Sequence, residues 1–330
     1  MAYTTIPKSS DYMTASIWTG NGTKITTGFS PDLIWFKARN AVSYAGILNA
    51  ITGYDKYLQS FSTDAETTSA GMMVTDSTGY TPGSVLSSNS YVGWSWKANG
   101  AGVSNTSGSI TSTVSASATS GFSVVKYTST GAANSTIGHG LNAIPTNVII
   151  KCTSDGATSW ISKMKGADGY LYLDTTGALT SNSTWLPTDA NTFTLTNTWG
   201  AYNTNGSTYV AYCFAEKQGY SKFGSYIGNG NADGTFVYLG FKPAFVMAKS
   251  STSVTEWHMA DTARRPNNPN DVYLAASSSA AESTSNGVDF LSNGIKINTS
   301  QGGWNQSGAT FIYMAFAEEP LVGDNPATAR

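Results

Sequence analysis

Pro145-Thr-Asn-Val-Ile-Ile-Lys151 is one of three stretches in which a proline precedes a lysine by six residues, with an apolar run between them. The other two are Pro31-Asp-Leu-Ile-Trp-Phe-Lys37 and Pro243-Ala-Phe-Val-Met-Ala-Lys249. Proline has a fixed φ and no amide hydrogen, so it suits the first position of a strand. The runs after Pro145 and Pro243 are apolar at nearly every position, which favours strands buried on both faces. We call these stretches the Pro–Lys motifs.

A second signature follows each Pro–Lys motif after roughly 60 to 70 residues. These closing segments are Tyr91-Val-Gly-Trp-Ser-Trp96, Tyr209-Val-Ala-Tyr-Cys-Phe214 and Phe311-Ile-Tyr-Met-Ala-Phe316. Two signatures that recur in the same order and at similar spacing indicate an internal repeat. We therefore predict three copies of one unit, each with its own core.

The middle of each copy is more variable but keeps a Tyr-Leu step. These steps are Tyr57-Leu58, Tyr172-Leu173 and Tyr273-Leu274. Trp160 and Trp257 follow the lysine in the second and third copies, and the first copy lacks this tryptophan. The first copy is therefore the most divergent.

Turn signals such as Asn-Gly and Asp-Gly recur about every ten residues, which is typical of short antiparallel strands. The predicted fold class is all-β, with three tandem antiparallel β-sandwich domains of jelly-roll type. The predicted organisation is an N-terminal arm (1–13), a first repeat (14–103), a Ser/Thr/Gly-rich linker (104–120), a second repeat (121–224), a third repeat (225–320) and a C-terminal tail (321–330).

The composition excludes several classes of function. Charged residues are only 12% of the 330 residues and the net charge is −2. Without a basic block the chain is not expected to bind nucleic acid, because such binding needs clustered Lys and Arg. No apolar run reaches the roughly 20 residues that a membrane span needs. The first residues lack the apolar region of a signal peptide, so we expect synthesis in a host cytoplasm without export.

Little in the sequence predicts catalytic or metal-binding chemistry. Cys152 and Cys213 lie in strand-like runs, and we expect two buried thiols. His139 and His258 have no second ligand at metal-binding spacing, and no Gly-x-Ser-x-Gly elbow is present. We therefore predict no catalytic residue, no cofactor and no metal.

One stretch of the sequence begins like a calcium-binding loop. Asn229-Gly-Asn-Ala-Asp-Gly234 has this form, but the twelfth position is Gly240, where a bidentate Glu is required. We interpret the stretch as a hairpin turn. A looser Ca²⁺ site that includes Asp233 stays open.

Several segments resemble a domain found repeatedly in tail and tail-fibre proteins of tailed bacteriophages, especially marine and cyanobacterial ones. The segments that carry the resemblance are Gly108-Ser-Ile-Thr-Ser-Thr-Val-Ser-Ala116, Gly121-Phe-Ser-Val-Val-Lys-Tyr-Thr128, Ile137-Gly-His-Gly-Leu-Asn-Ala-Ile-Pro145, Tyr209-Val-Ala-Tyr-Cys-Phe-Ala-Glu216, Gly219-Tyr-Ser-Lys-Phe-Gly-Ser-Tyr226 and Asp289-Phe-Leu-Ser-Asn-Gly294. The resemblance implies a virion component without catalytic residues.

From these observations we expect a non-enzymatic structural protein on the exterior of a virion. Our first hypothesis is a tail fibre or tail-tip component that contributes to host attachment. The alternative is a capsid decoration or head-fibre protein, and a glycan depolymerase is the least favoured option because it needs a paired carboxylate site. The expected partners are other virion proteins and further copies of the chain, with a trimer as one option.

Two groups of residues are candidates for contacts with partners. Aromatic residues in Ser/Thr/Asn/Gly-rich surroundings suit contact with a host surface glycan or with a neighbouring subunit. These residues are Trp185, Trp199, Tyr202 and Trp304. Arg264 and Arg265 form the one local basic spot, in the stretch Arg264-Arg-Pro-Asn-Asn-Pro269. We predict a rigid surface loop there, with an assembly contact to an acidic partner as a further option.

Overall fold

A computed structural model describes residues 4–42, 44–86, 88–320 and 322 of the chain. Strands make up 46% of the chain and helices 4%, and the sheets are antiparallel. The predicted all-β class is confirmed. The predicted C-terminal tail (321–330) lies outside the described residues apart from Val322, and so do the first three residues of the predicted arm.

The strands fall into three sets along the chain. Set 1 contains β1 (Met13–Thr19), β2 (Ile25–Thr26), β3 (Leu33–Ala38), β4 (Ala45–Asn49), β5 (Gly53–Leu58), β6 (Thr67–Thr68), β7 (Met73–Asp76), β8 (Gly79–Pro82) and β9 (Ser90–Trp96). Set 2 contains β10 (Val103–Asn105), β11 (Ser112–Ser117), β12 (Phe122–Thr128), β13 (Ser135–Gly138), β14 (Asn147–Cys152), β15 (Ile161–Lys163), β16 (Gly169–Tyr172), β17 (Thr180–Ser181), β18 (Thr192–Leu195) and β19 (Thr208–Phe214). Set 3 contains β20 (Ser221–Ile227), β21 (Phe236–Tyr238), β22 (Phe241–Ser250), β23 (His258–Asp261), β24 (Asn270–Ala275), β25 (Ser283–Leu291), β26 (Gly294–Ile297) and β27 (Thr310–Pro320).

Helical structure in the described residues is limited to single turns. The 3-10 turns are Ser9–Asp11 and Ser84–Leu86, and the α-helical turns are α1 (Gly200–Asn203) and α2 (Gly302–Asn305). The two α-helical turns occupy matching places, because each one directly precedes the last strand of its set.

The main sheet of each set contains the same run of strand neighbours. This run is β1-β9-β3-β4-β5 in set 1, β12-β19-β14-β15-β16 in set 2 and β20-β27-β22-β23-β24 in set 3. In every set the strand of the Pro–Lys motif lies beside the closing strand, and the closing strand lies beside the first strand of that run. The two sequence signatures therefore occupy matching positions three times.

Each main sheet covers a separate apolar cluster on one of its faces. In set 1 this cluster joins Ile34 and Phe36 of the motif strand to Tyr80 of the small sheet β2-β8-β7. Sets 2 and 3 have clusters of their own, built around Phe193 and Phe290. Successive residues of a strand point to opposite faces of the sheet, so alternate side chains of each motif strand enter this cluster.

The opposite faces of the three main sheets meet in one central cluster that the sequence did not predict. Trp96, Phe214 and Phe316 hold the same position in the three closing strands, and their rings contact one another. The ring centroids of Trp96 lie 6.4 Å from Phe214 and 5.5 Å from Phe316, and Phe214 lies 5.8 Å from Phe316. An apolar cavity of about 20 Å³ remains there, which is too small for an organic ligand.

The predicted linker (104–120) is wrong in its central part. Ser112–Ser117 forms β11, which pairs antiparallel with β12 along its whole length. Its small side chains alternate, so that Val114 and Ser112 are buried against set 2 while Thr113 stays partly exposed. A Ser/Thr-rich composition is compatible with a strand when the buried hydroxyls find acceptors, and Ser112 Oγ donates to the carbonyl of Gly138 at 2.9 Å.

Candidate functional site

Two of the aromatic residues proposed for glycan contact lie inside set 2. Trp185 is 2% exposed and Tyr202 is 0% exposed. Trp185 Nε1 donates to the carbonyl of Gly169 at 2.8 Å, and the Tyr202 hydroxyl donates to Asn197 Oδ1 at 3.0 Å. A buried ring cannot stack on a sugar, so these residues do not form the exposed platform that we predicted.

Trp304 is likewise buried, at 2% exposure, in α2 of set 3. Its ring stacks on the imidazole of His258, with centroids 5.4 Å apart. Burial lowers the pKa of His258 to about 4, although its hydrogen bond with the Gly303 carbonyl opposes this shift. His258 is therefore neutral near pH 7, and the pair is part of the packing.

The sequence signal that could have located these aromatics is an asparagine. Asn203 and Asn305 follow Tyr202 and Trp304 directly and are both fully buried. Asn305 Nδ2 donates to Asn229 Oδ1 at 2.9 Å and thereby anchors the turn between β20 and β21. Each asparagine stands three residues before a glycine that leads into the closing strand. The pattern predicts a buried turn anchor.

Trp199 is the one residue of the predicted aromatic group that reaches the surface. It is half-buried and forms a shallow pocket of about 290 Å³ with Tyr172 and the polar residues Thr158 and Ser159. The Tyr170 ring lies 4.7 Å from the Trp199 ring, between centroids, and holds it in place. Aromatic faces beside hydroxyl groups can bind the apolar and polar sides of a sugar.

Arg264 lies in the interior, contrary to its predicted place in a surface loop and to its candidate role as a contact with another protein. Its Nε is 2.6 Å from Asp261 Oδ2 and its Nη1 is 3.3 Å from Glu282 Oε2. The guanidinium also lies over the Trp94 ring at 5.8 Å from the centroid. Because these acceptors belong to the same chain, they already satisfy the arginine.

The same ion cluster joins set 3 to set 1. Trp94 Nε1 donates to Asp261 Oδ2 at 3.1 Å, and the Arg39 guanidinium donates to both carboxylate oxygens of Glu282 at 3.0 Å. This bidentate hydrogen bond raises the pKa of Arg39, against a smaller opposing effect of burial. Buried ions of this kind need every partner in place.

Arg265 remains at the surface. Its Nε pairs with Asp271 Oδ1 at 2.7 Å, and the arginine side chain is 45% exposed. With the Pro266–Pro269 loop it lines an open depression of about 410 Å³. The prediction that Arg265 takes part in an assembly contact remains a prediction.

The lysines of the three Pro–Lys motifs are buried at the junctions between the sets. Lys37 Nζ donates to the Ser278 carbonyl of set 3, at 2.5 Å. Lys151 Nζ donates to the Thr63 carbonyl of set 1 at 2.8 Å, and Lys249 Nζ donates to the Thr176 carbonyl of set 2 at 3.0 Å. Through its motif lysine, each set therefore binds a loop of another set. Together the three contacts link the sets in a closed ring.

Burial depresses the basicity of these lysines. It lowers the pKa of Lys37 and of Lys249 to about 8, partly offset in both by the nearby carboxylate of Glu256. Burial also lowers the pKa of Lys151. The sequence marked these lysines as repeat positions, but nothing in one motif alone reveals which neighbouring loop receives the ammonium group.

The two indoles that follow the motif lysines make parallel contacts. Trp160 Nε1 donates to the Gln59 carbonyl of set 1, and Trp257 Nε1 donates to the Tyr172 carbonyl of set 2, both at 2.9 Å. Both side chains are fully buried and belong to the central cluster. They contribute to the junctions rather than to a surface site.

The described residues hold no group of three or more His, Cys, Asp or Glu side chains that could bind a metal ion. Asp233, which we considered for a Ca²⁺ site, pairs with Lys296 at 2.5 Å. Cys152 and Cys213 are free and buried, as predicted, and burial raises the pKa of Cys213 to about 12. In the same part of the chain, none of the helices has the length and hydropathy of a membrane span.

The fold and these contacts define an all-β protein in which matching antiparallel sheets surround one apolar centre. A family model described as a domain of unknown function (DUF7483) matches residues 8–320, and the chain belongs to this family. Comparisons with curated proteins and with solved structures give no match.

Proposed function

We propose that the chain is a non-enzymatic structural protein of a bacteriophage virion, built as three tandem β-sandwich repeats. We place it in the tail fibre or tail tip, where it contributes to host attachment. The observation that carries this proposal is the meeting of Trp96, Phe214 and Phe316 at one centre. A chain with three matching units around one apolar centre suits a repetitive, multivalent assembly.

The use of the ionisable side chains supports a structural role. The pKa of His139 is lowered by burial, and its ring hydrogen-bonds to the backbone of Asp189 and Leu141. Arg264 and the motif lysines are occupied by contacts within the chain. Groups of this type stabilise the fold and leave little for proton transfer to a substrate.

The Trp199 pocket is the part of the surface that we assign to host contact. Trp199 and Tyr172 supply aromatic faces, and Thr158 and Ser159 supply hydroxyls at the rim. The Tyr172 hydroxyl carries its proton near pH 7, as tyrosine hydroxyls ordinarily do, and can donate to a sugar oxygen. The ligand class is therefore a surface glycan.

Two measurements test the proposal. Gold-labelled antibodies against the chain should mark the tails of intact particles. Labelled heads would favour a capsid decoration protein instead, and unlabelled particles would contradict a virion component. Recombinant protein should bind host cells, and Trp199→Ala should weaken this binding about tenfold or more through the lost stacking contact.

Tyr238→Ala is the matched control for the binding experiment. Tyr238 is an aromatic residue of set 3 that is 50% exposed and lies outside the Trp199 pocket. We expect its replacement to leave binding to host cells unchanged. Equal losses in the two variants, or no loss in either, would contradict the assignment of the pocket.

A further inference from the structure

Three strands, β1, β12 and β20, begin the run of neighbours that the main sheets share, and they differ along their outer edges. β1, β12 and β20 each pair with the closing strand of their own set on one side. On the other side β12 pairs with β11, whereas β1 and β20 are the last strands of their sheets. A strand therefore occupies this structural position in set 2, and no described strand occupies it in sets 1 and 3.

The outer edge of β1 carries free backbone groups. The Lys97 amide donates to the Tyr12 carbonyl and the Gly20 amide donates to the Asn89 carbonyl, which fixes the even-numbered residues as those bonded to β9. In an antiparallel pair the intervening residues point their amides and carbonyls the other way. These residues are Met13, Ala15, Ile17 and Thr19, and among the residues that the structure describes none accepts or donates a backbone hydrogen bond at this edge. Met13 is buried, so the accessible part of the edge runs from Ala15 to Thr19.

A groove lies beside this edge. It has a volume of about 550 Å³, and its walls are residues 15–19 of β1, residues 23–26 around β2, and Ala263 of set 3. The Ile17 side chain is 48% exposed at the groove. β1 contains no charged residue and no proline, which are the usual devices that prevent an edge strand from pairing.

The matching groove of set 2 shows which segment fits there. β11 fills it, with Ser112 opposite Tyr127 and Ser117 opposite Phe122. The Ile110 amide also donates to the Thr136 carbonyl at 3.1 Å, so the inserted segment bridges β12 to β13. The segment 110–117 is uncharged and alternates small hydroxyl residues with Val and Ala.

Set 3 closes its own edge with nearby residues. The Phe223 amide donates to Glu216 Oε1 at 2.6 Å, and the Ser221 amide donates to the Lys217 carbonyl at 2.9 Å. Lys222 Nζ crosses to the Tyr238 carbonyl at 2.9 Å. Set 1 has no such bridge among its described residues, which leaves β1 as the open edge.

We propose that the outer edge of β1 is an acceptor site for a β-strand of a partner polypeptide. The occupant is an extended, uncharged segment in which Val, Ile or Ala alternates with Ser or Thr, as in residues 110–117. It pairs antiparallel with residues 15–19, the part of β1 that lines the groove, and takes the place that β11 holds in set 2. The proposal does not depend on the virion assignment.

A labelled peptide with the sequence of residues 109–118 is the direct probe. Added to the full chain, it should bind saturably in a fluorescence anisotropy titration. Hydrogen exchange should then slow at the outward amides of Ala15 and Ile17 by about tenfold or more, while the Ser16 amide, already bonded to β9, changes little. Absence of saturable binding up to about 1 mM, a concentration that corresponds to an affinity of only about 4 kcal/mol, would overturn the proposal.

Ile17→Pro separates strand pairing from unspecific adhesion. It removes an outward amide and keeps the hydrogen bonds to β9, and proline is tolerated on edge strands. We expect peptide affinity to fall about tenfold or more from the lost hydrogen bond and the blocked edge. Ile17→Thr, which keeps the amide, and a Val114→Asp peptide, which should not bind, are the matched controls.

Two further outcomes are decisive. Unchanged affinity in Ile17→Pro, with a native near-ultraviolet dichroism spectrum, would overturn the proposal. Concentration-dependent dimers of the wild-type chain that disappear in Ile17→Pro would show that a second copy occupies the edge, and this would also contradict the proposed partner. If Ile17→Pro does not fold, the exchange pattern of the wild-type chain with the peptide decides the question.

Discussion

Set 1 contacts set 2 at one junction and set 3 at another. The side chains that make the contacts differ between the two junctions. At the first junction, Trp160 packs in the central cluster and donates to the Gln59 carbonyl. At the second, the position that matches Trp160 is Ala45, which lies opposite Lys37. Buried ion pairs of Arg264 with Asp261 and Glu282 are found there instead.

The repeat fixes the positions of the strands but not the interactions at the junctions between the sets. An indole needs one acceptor and otherwise packs as an apolar group. A buried ion cluster is stable only when each charge keeps its partners. The two junctions should therefore respond differently to mutation and to pH.

Trp160→Ala should have the largest effect on stability. The side chain is fully buried, and its loss leaves a cavity and deprives the Gln59 carbonyl of its donor. We expect the free energy of unfolding to fall by about 4 kcal/mol in denaturant titrations. The control Val74→Ala, at a position that is 65% exposed, should cost under about 1 kcal/mol. Similar losses in both variants would contradict the junction role of Trp160.

Arg264→Leu should be the next most destabilising change. It leaves Asp261 and Glu282 with fewer partners at the junction of sets 1 and 3, so we expect a loss of about 3 kcal/mol in the same titrations. Arg265→Ala, in which only an exposed ion pair is lost, should cost under about 1 kcal/mol. If Arg264→Leu were as mild as Arg265→Ala, the ion cluster would not hold the junction.

The smallest effect concerns pH. The folded chain releases the Lys37 proton near a pKa of about 8, whereas the ordinary value is 10.5. Between pH 8 and 10 the unfolded chain binds more protons at this site, so its contribution makes the free energy of unfolding rise with pH. Lys37→Met should flatten this rise, measured as unfolding midpoints across the window. The exposed Lys24→Met should follow the wild type, and a wild-type slope in Lys37→Met would contradict the effect.

The sequence predicts the strands better than their surroundings. Proline at the start of the Pro–Lys motifs and the apolar runs after it identify β3, β14 and β22, and β22 extends two residues upstream of Pro243. A run that is apolar on both faces predicts cover on both sides. The run does not identify which residues pack on each face. Here one face of each motif strand packs against the other sets in the central cluster.

The Tyr-Leu step shows a limit of alignment by short motifs. Met259 pairs with Leu274 and Ile47 pairs with Leu58, but the residue that matches them in set 2 is Leu171, opposite Ser162, and not Leu173. Side chains in a strand repeat every two residues, so a shift of two keeps the same face and both leucines reach the central cluster. The shared step therefore aligns residues that lie on the same face of the strand but not in the same register.

The candidate site was harder to predict. Ser, Thr, Asn and Gly around Trp185, Tyr202 and Trp304 indicated exposed loops, yet these polar neighbours satisfy one another through hydrogen bonds within the fold. Composition reports how polar a segment is and leaves open whether its polar groups find partners inside. Only Trp199 combined polar neighbours with an exposed ring surface.

The ring of lysine contacts has a consequence for how this architecture can change over generations. In an open solenoid, a further repeat adds to one end and the earlier ones keep their neighbours. Here Lys37, Lys151 and Lys249 each hold a loop of another set, and together they return to the starting point. Deletion of one set would break two such contacts at once, and insertion of a further set would interrupt one, so closure of the ring opposes a change in the number of sets.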